Sequence, residues 1–305
     1  MKTKQFLVLS LLSVAACMAS ARDNGGGLLQ KLMGGVTVKQ TPSSKQNDPS
    51  KWRSDDVLTV EQAKARYATF FSLKATPNAV FIDSPFEGWF VMMIDNMPAN
   101  VFNADISTTG LYHTWNRREG EKLVPLTDSE VQEHMQQLRK RVKAEAVIPA
   151  WQNNSVALSK DTPVSVIFTA PNCPSCLKAD ANLNRLNSAV KTNIVFVPEI
   201  LSRDEAFQQG FTESMMCSAN PQGAFKTAFV NRGRGQFSVA GDCKKGWWPN
   251  LIAMAFYPSL SKEKDFQKDV SFPGIFRSDG KRVSSATVTE AKTAKEIDAA
   301  LTASN

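Results

Sequence analysis

Cys173 and Cys176 stand three residues apart, with Pro174 and Ser175 between them. On a helix that spacing sets the two sulfurs one turn apart on the same face, where they can form and break a disulfide. At a helix start, unpaired N–H groups and the positive end of the macrodipole favour a thiolate over a thiol, so the Cys173 pKa is expected to be depressed. Pro174 suits the first turn, where a missing N–H costs little. Cys173 is then the attacking thiolate that forms a mixed disulfide, and Cys176 the thiol that resolves it. Two other readings share the spacing. Zinc ribbons place cysteines this way, but a zinc site here needs Cys217 and Cys243 as well, or a histidine, and His113 and His134 lie far back in the chain. An inert structural disulfide at a helix start is the third reading.

The flanking elements favour redox chemistry. Val164 to Phe168 is a short β-branched and aromatic run of strand length, and Pro171-Asn172 follows as a turn. Cys176, Ala179, Leu183, Leu186 and Val190 then recur at steps of three and four, the spacing of one buried helix face. Ile194 to Val197 supplies a second strand. Strand, helix, strand with the cysteine pair at the helix start is the context that makes this spacing a redox motif. Past Pro198 comes a long, helix-rich stretch containing Cys217, Cys243 and Trp247-Trp248, which reads as an insertion; the two tryptophans read as core. The sheet resumes at Phe272-Pro273-Gly274-Ile275-Phe276-Arg277, and Asp279-Gly280 turns it into Lys281-Arg282-Val283. Thr293 and Glu296 cap a last helix to Leu301. That order of elements is thioredoxin-like.

From Val164 to the C-terminus the chain resembles the bacterial periplasmic disulfide isomerases of the DsbC/DsbG family. The likeness rests on Phe168-Thr169, three further residues, then Cys173-Pro174-Ser175-Cys176 with Lys178 beyond; on Cys217 with a later Cys243; and on Pro273 opening a strand-turn-strand ending. It implies an α/β thioredoxin-like domain with a helical insertion, preceded by a small α+β dimerisation domain and a linker helix. It implies Cys173 as nucleophile, Cys176 as resolving thiol and Cys217–Cys243 as a structural disulfide. Pro273 is implied to be a cis-proline facing the pair, with the backbone of Phe272 turned toward an extended substrate. Read alone, an X-Pro bond is expected to be trans. The implied partners are exported proteins with non-native disulfides, a membrane thiol reductant and a second copy of the chain; no cofactor is implied. Three positions depart from the family pattern: Pro174-Ser175 stands where that pattern has Gly-Tyr or Pro-Tyr, Phe272 where Thr is usual, and Ala170 where many members have Asp. The first two border the disulfide, where they tune potential and substrate contacts.

Lys2 and Lys4 precede an apolar run from Phe6 to Ala16, too short to span a bilayer, so residues 1–21 read as a signal peptide. Ala19-Ser20-Ala21 fits a cleavage site, while Val14-Ala15-Ala16-Cys17 resembles a lipobox that would leave Cys17 lipidated; both point to the periplasm. Residues 22–56, rich in Gly, Ser, Asn, Lys and Pro, read as a flexible tether. A helix from Val57 to Leu73 with Thr59 near its N-cap, and strands at Ala79 to Ile82, Trp89 to Ile94 and Gly110 to Trp115, make a small domain over 57–120. No carboxylate pair, metal cluster or phosphate loop is evident there. Thr127-Asp128-Ser129-Glu130 caps a polar helix running to about Val147, a linker over 121–150 before the thioredoxin-like domain at 151–305. With 305 residues and 42% apolar content the chain can bury two cores. Its net charge of +7 does not imply nucleic-acid binding, because the densest basic patch, Arg139-Lys140-Arg141, shares a helix with Glu130 and Glu133 and reads as a solvated face. Asn153-Asn154-Ser155 matches a glycosylation triplet with no expected role after bacterial export.

Two function classes follow. One is a thiol-disulfide oxidoreductase, an isomerase or reductase working through Cys173. The other is a non-catalytic thioredoxin-like factor that docks onto a secretion or conjugation apparatus.

Overall fold

The computed structural model describes residues 48–71, 73, 78–95, 97–111, 114–150, 164–187, 189–257 and 271–302. The signal-peptide reading, Cys17, His113 and the Asn153 triplet lie outside the described residues. The chain divides into two compact units between Glu133 and His134.

In the first unit, Thr59 Oγ1 accepts the Gln62 N–H and Gln62 Oε1 accepts the Thr59 N–H, a reciprocal cap that starts helix α1, Val60–Phe70. Ala63, Tyr67 and Phe70 form its buried face. Six strands follow as an antiparallel meander in sequence order: β1 Val80–Asp83, β2 Trp89–Ile94, β3 Met97–Asn103, β4 Thr108–Leu111, β5 Thr114–Glu119 and β6 Lys122–Pro125. Three strands were legible in the sequence and six exist, for local reasons. Met97-Pro98, which reads as a turn, opens β3: Asp95 takes the left-handed conformation (φ 51°), and a bulge between Met92 and Met93 accommodates the proline. The run Gly110 to Trp115 belongs to two strands, with Gly110 opposite Trp115; a Cβ on Gly110 would lie 2.3 Å from the Thr114 carbonyl. β6 carries no fully buried residue, so it leaves no alternating pattern to read. Trp52, within the stretch whose composition suggests a tether, is buried against Phe70 and lies under the Arg66 guanidinium. Its indole anchors residues that few other apolar side chains mark.

Helix α2, Asp128–Arg139, begins at the Thr127–Glu130 cap and ends well before Val147. A 3-10 turn at Ala144–Ala146 and the short strand β7, Ile148–Pro149, occupy the rest of that stretch.

The second unit is a mixed α/β assembly. Its elements are β7, β8 Ser165–Thr169, α3 Pro174–Leu186, β9 Ile194–Pro198, α4 Glu205–Met216, α5 Pro221–Val230, α6 Trp248–Phe256, β10 Gly274–Phe276, β11 Arg282–Val283, α7 Ala286–Thr289 and α8 Ala294–Leu301. The sheet order is β11-β10-β8-β9-β7, with β8 and β9 parallel and the other pairs antiparallel. A parallel pair joined through a helix, with an antiparallel hairpin on one side, is consistent with a thioredoxin-like fold. β8 and β9 are buried along their whole length, as central strands between helices must be. Their inner faces pack with Cys176, Ala179 and Leu183 of α3, Phe225 and Phe229 of α5, and Ile297 and Leu301 of α8 in one core.

Candidate thiol site

β8 ends at Thr169, and Ala170, Pro171 and Asn172 carry the chain round to α3. Cys173 is the N-cap of that helix. Its backbone is extended (φ −98°, ψ 121°), its Sγ accepts the Cys176 N–H at 3.3 Å, and Pro174 takes the first turn. The turn before it is clamped by one side chain: Asn172 Nδ2 donates to the Leu201 carbonyl at 2.7 Å, and Asn172 Oδ1 accepts the Leu201 N–H at 3.0 Å. The segment after β9 is thereby tied to the residue next to the cysteine.

Both sulfurs of the pair are free thiols. Their environments differ: Cys173 retains 6% of its surface, while Cys176 has none. The Cys176 thiol donates to the Cys173 sulfur, and the Ser175 and Cys176 N–H groups add to it; together they outweigh burial and bring Cys173 down to about 6. The same contact and its deeper burial push Cys176 up. The site therefore sets one thiol favoured as an anion, with a small exposed edge, in front of one sealed thiol held protonated.

The Phe272–Pro273 bond is cis, and Pro273 is buried. The Phe272 carbonyl oxygen lies 3.7 Å from Cys173 Sγ. Register explains the approach: Gly274 is opposite Phe168, so two further steps set Phe272 level with Ala170, just ahead of the cysteine turn. Beneath this strand, Tyr257, Phe256 and Phe276 surround the ring of Phe168. Gly274 is pressed onto that cluster, where a Cβ would come within 2.2 Å of the Tyr257 hydroxyl. Of the positions that depart from the family pattern, Ala170 is fully buried, Ser175 is exposed in the first turn, and Phe272 is half-buried at the sulfur.

Cys217 and Cys243 are bonded to each other, with Cα atoms 5.6 Å apart, and join the end of α4 to the loop before α6. Two cysteines in a disulfide cannot ligate zinc. Among the described residues no group of three or more His, Cys, Asp or Glu side chains is placed to hold a metal ion. His134 is buried, and burial alone pushes it down to about 4, leaving it neutral. Trp248 is buried in the core, with the Lys245 ammonium 4.7 Å from its ring centre.

Sequence reading did not find three contributors. The Asn172 clamp needs a partner 29 residues on, which no local pattern reveals. Glu199 follows β9, its N–H donates to the Thr169 carbonyl at 2.8 Å, and burial pushes its carboxyl up to about 7. The third is the loop after α5, residues 232–235, whose alternating Arg and Gly was a visible signal.

No family model and no curated protein matches this chain. Among solved structures, that of Helicobacter pylori DsbG aligns with 67% of this chain and 96% of its own, at 9% identity and a TM-score of 0.28. A likeness of that size carries no argument about function.

Proposed function

We propose that the chain is a thiol-disulfide oxidoreductase that isomerises or reduces disulfides in exported proteins, with Cys173 as nucleophile and Cys176 as resolving thiol. The observation that carries this is the asymmetry of the pair: the sulfur at the helix N-cap is the less buried of the two and is favoured as an anion, and its neighbour is sealed and held protonated. A stabilised thiolate is the reactive species in disulfide exchange. The Cys173 thiolate attacks one sulfur of a client disulfide; that S–S bond breaks, a mixed disulfide forms, and the departing client thiolate takes a proton. In isomerisation the freed client thiol, or another in the same client, attacks the mixed disulfide and returns Cys173 as thiolate, with no net oxidation. In reduction Cys176 gives up its proton, attacks Cys173 Sγ and expels the second client thiol. The client then gains two electrons and two protons, the pair ends as a disulfide, and an external dithiol must reset it.

The backbone of Phe272 beside Cys173 supports the reading further, since an extended client segment needs main-chain partners at the sulfur. We read the first unit as a dimerisation module; its edge strands β1 and β6 leave backbone groups that a second copy can pair with. The test is Cys173→Ser and Cys176→Ser in the full chain, assayed on a client with scrambled disulfides. Cys173→Ser should abolish recovery, and Cys176→Ser should accumulate a mixed disulfide with the client. Full recovery with Cys173→Ser would instead support a non-catalytic binding factor.

A further inference from the structure

Three exposed arginines, Arg203, Arg232 and Arg234, stand on two chain segments next to the turn that precedes Cys173. After α5 the chain enters a loop whose backbone is fixed by three hydrogen bonds: Arg232 N–H to Phe229 O (3.2 Å), Gly233 N–H to Ala228 O (2.8 Å) and Arg234 N–H to Asn231 O (3.1 Å). Arg232 and Gly233 are both left-handed, with φ 53° and 74°. Gly233 sits on the turn that precedes the cysteine. A Cβ there would lie 2.4 Å from Ile200 Cδ1 and 3.3 Å from Asn172 Cβ, so the loop is seated against residue 172. Arg232 and Arg234, both exposed, leave the chain on either side of that contact. Arg203, also exposed, follows by two residues the Leu201 backbone that Asn172 clamps.

Among the described residues, none of these three arginine side chains has an ion-pair or hydrogen-bond partner. The acid next to Arg203, Asp204, caps α4 by accepting the Phe207 N–H at 3.0 Å. Two chain segments that touch Asn172, the residue before Cys173, thus carry three exposed arginines within two residues of those contacts. A solvated basic face needs no such seating.

We propose that the basic rim selects a protein partner whose acidic side chains flank the cysteine presented to Cys173. Each arginine fork can take a carboxylate in two parallel hydrogen bonds, and the shared field speeds encounter with a negatively charged segment. The proposal names the client class for the thiol exchange above and rests on that reading.

The test uses the full-length chain and two short peptides, each closed by one internal disulfide, flanked by Asp and Glu in one and by Lys in the other. At about 10 mM salt the acidic peptide should exchange roughly 10-fold faster, and the advantage should shrink to under about 2-fold near 0.5 M. Arg232→Glu with Arg234→Glu should reverse the preference while leaving the Cys173 thiolate titration unchanged; Arg203→Gln and Arg232→Gln, each alone, should reduce it without reversal. Equal rates for the two peptides at low salt, or an unaltered preference after charge reversal, would overturn the rim and leave thiol exchange standing. Fluorescence anisotropy of a labelled acidic peptide separates the two ideas from the other side. If neither peptide reacts, yet the acidic one binds in a salt-sensitive way that charge reversal abolishes, the exchange reading fails and the rim stands. An acidic peptide that neither reacts nor binds, or that a single-stranded oligonucleotide displaces at far lower concentration, overturns the rim.

Discussion

Cys173 Sγ lies 3.7 Å from the carbonyl oxygen of Phe272, a contact across 99 residues that joins the start of α3 to the approach to β10. A carbonyl oxygen there accepts from a thiol and repels a thiolate, so the anion depends on the donors on its other side. The first of these is the Cys176 thiol, ahead of the Ser175 and Cys176 N–H groups.

Cys176→Ala should therefore move the Cys173 titration upward from about 6 toward the range of an ordinary thiol. Because the anion is the reactive form, alkylation of Cys173 in the native chain should rise with pH through about 6 and level off above it. In Cys176→Ala the rise should come at higher pH, and Cys176→Ser, which restores a donor, should recover part of the shift. Thiolate absorbance followed against pH measures all three proteins. A titration unmoved in Cys176→Ala would assign the stabilisation to the helix N–H groups instead.

Gly274→Ala should destabilise the second unit by about 1–3 kcal/mol, because the added methyl meets the hydroxyl of buried Tyr257 at 2.2 Å. The displacement falls two residues from Phe272, so exchange rate should fall along with the urea midpoint. Tyr257→Phe removes the hydroxyl that makes the clash, and combining it with Gly274→Ala should restore part of the loss. Simple addition of the two single effects would show that the methyl strains something else.

The thiol site was legible because its logic is local. Strand, Pro171-Asn172 turn, Cys173 at the N-cap and Pro174 in the first turn lie within one short run, and each residue type has a single strong reason to be there. The hairpin at Asp279-Gly280 and the cap at Thr293 are readable for the same reason. What escaped depends on pairs distant in sequence or on strands with weak burial. β6 has no buried face, Pro98 lies in a strand beside a bulge, and α2 stops at Arg139, where the guanidinium donates to the Ala255 carbonyl 116 residues away. The Asn172 clamp and the seating of Gly233 belong to that class, so the cysteine pair at the helix start was readable and the contacts around it were not.

The Cys217–Cys243 bond closes a loop with a sequence separation of 26. In the chain-entropy account, removing it with Cys217→Ala and Cys243→Ala should cost about 3–4 kcal/mol, seen as a lower urea midpoint. The Cys173 titration should not move, since neither residue contacts that sulfur. A shift in the titration would mean that the loop before α6 supports the thiol site as well as the fold.

Glu199 gives stability a pH dependence of definite sign. Burial alone raises its carboxyl from 4.5 to about 7, so the folded chain holds the proton more tightly than the unfolded one. The contribution is complete below about 4.5 and is lost as pH rises through about 7, a change on the order of 3 kcal/mol. Asp180, raised by burial to about 6, works in the same direction. Glu199→Gln cannot ionise. Its urea midpoint relative to the native chain should therefore climb between pH 4.5 and 7.5, with Asp180→Asn showing a smaller climb. Glu296 supplies the opposite case: the Lys292 N–H holds its carboxylate below the usual value, so Glu296→Gln should lose its disadvantage as pH falls. Because the Glu199 N–H is bonded to Thr169 at the end of β8, ionising this carboxyl is expected to loosen the strand that leads into the cysteine turn. Glu199→Gln should then keep the amide of Glu199 protected from hydrogen exchange above pH 7, where the native chain loses protection; equal exchange in both would separate the carboxyl from the strand.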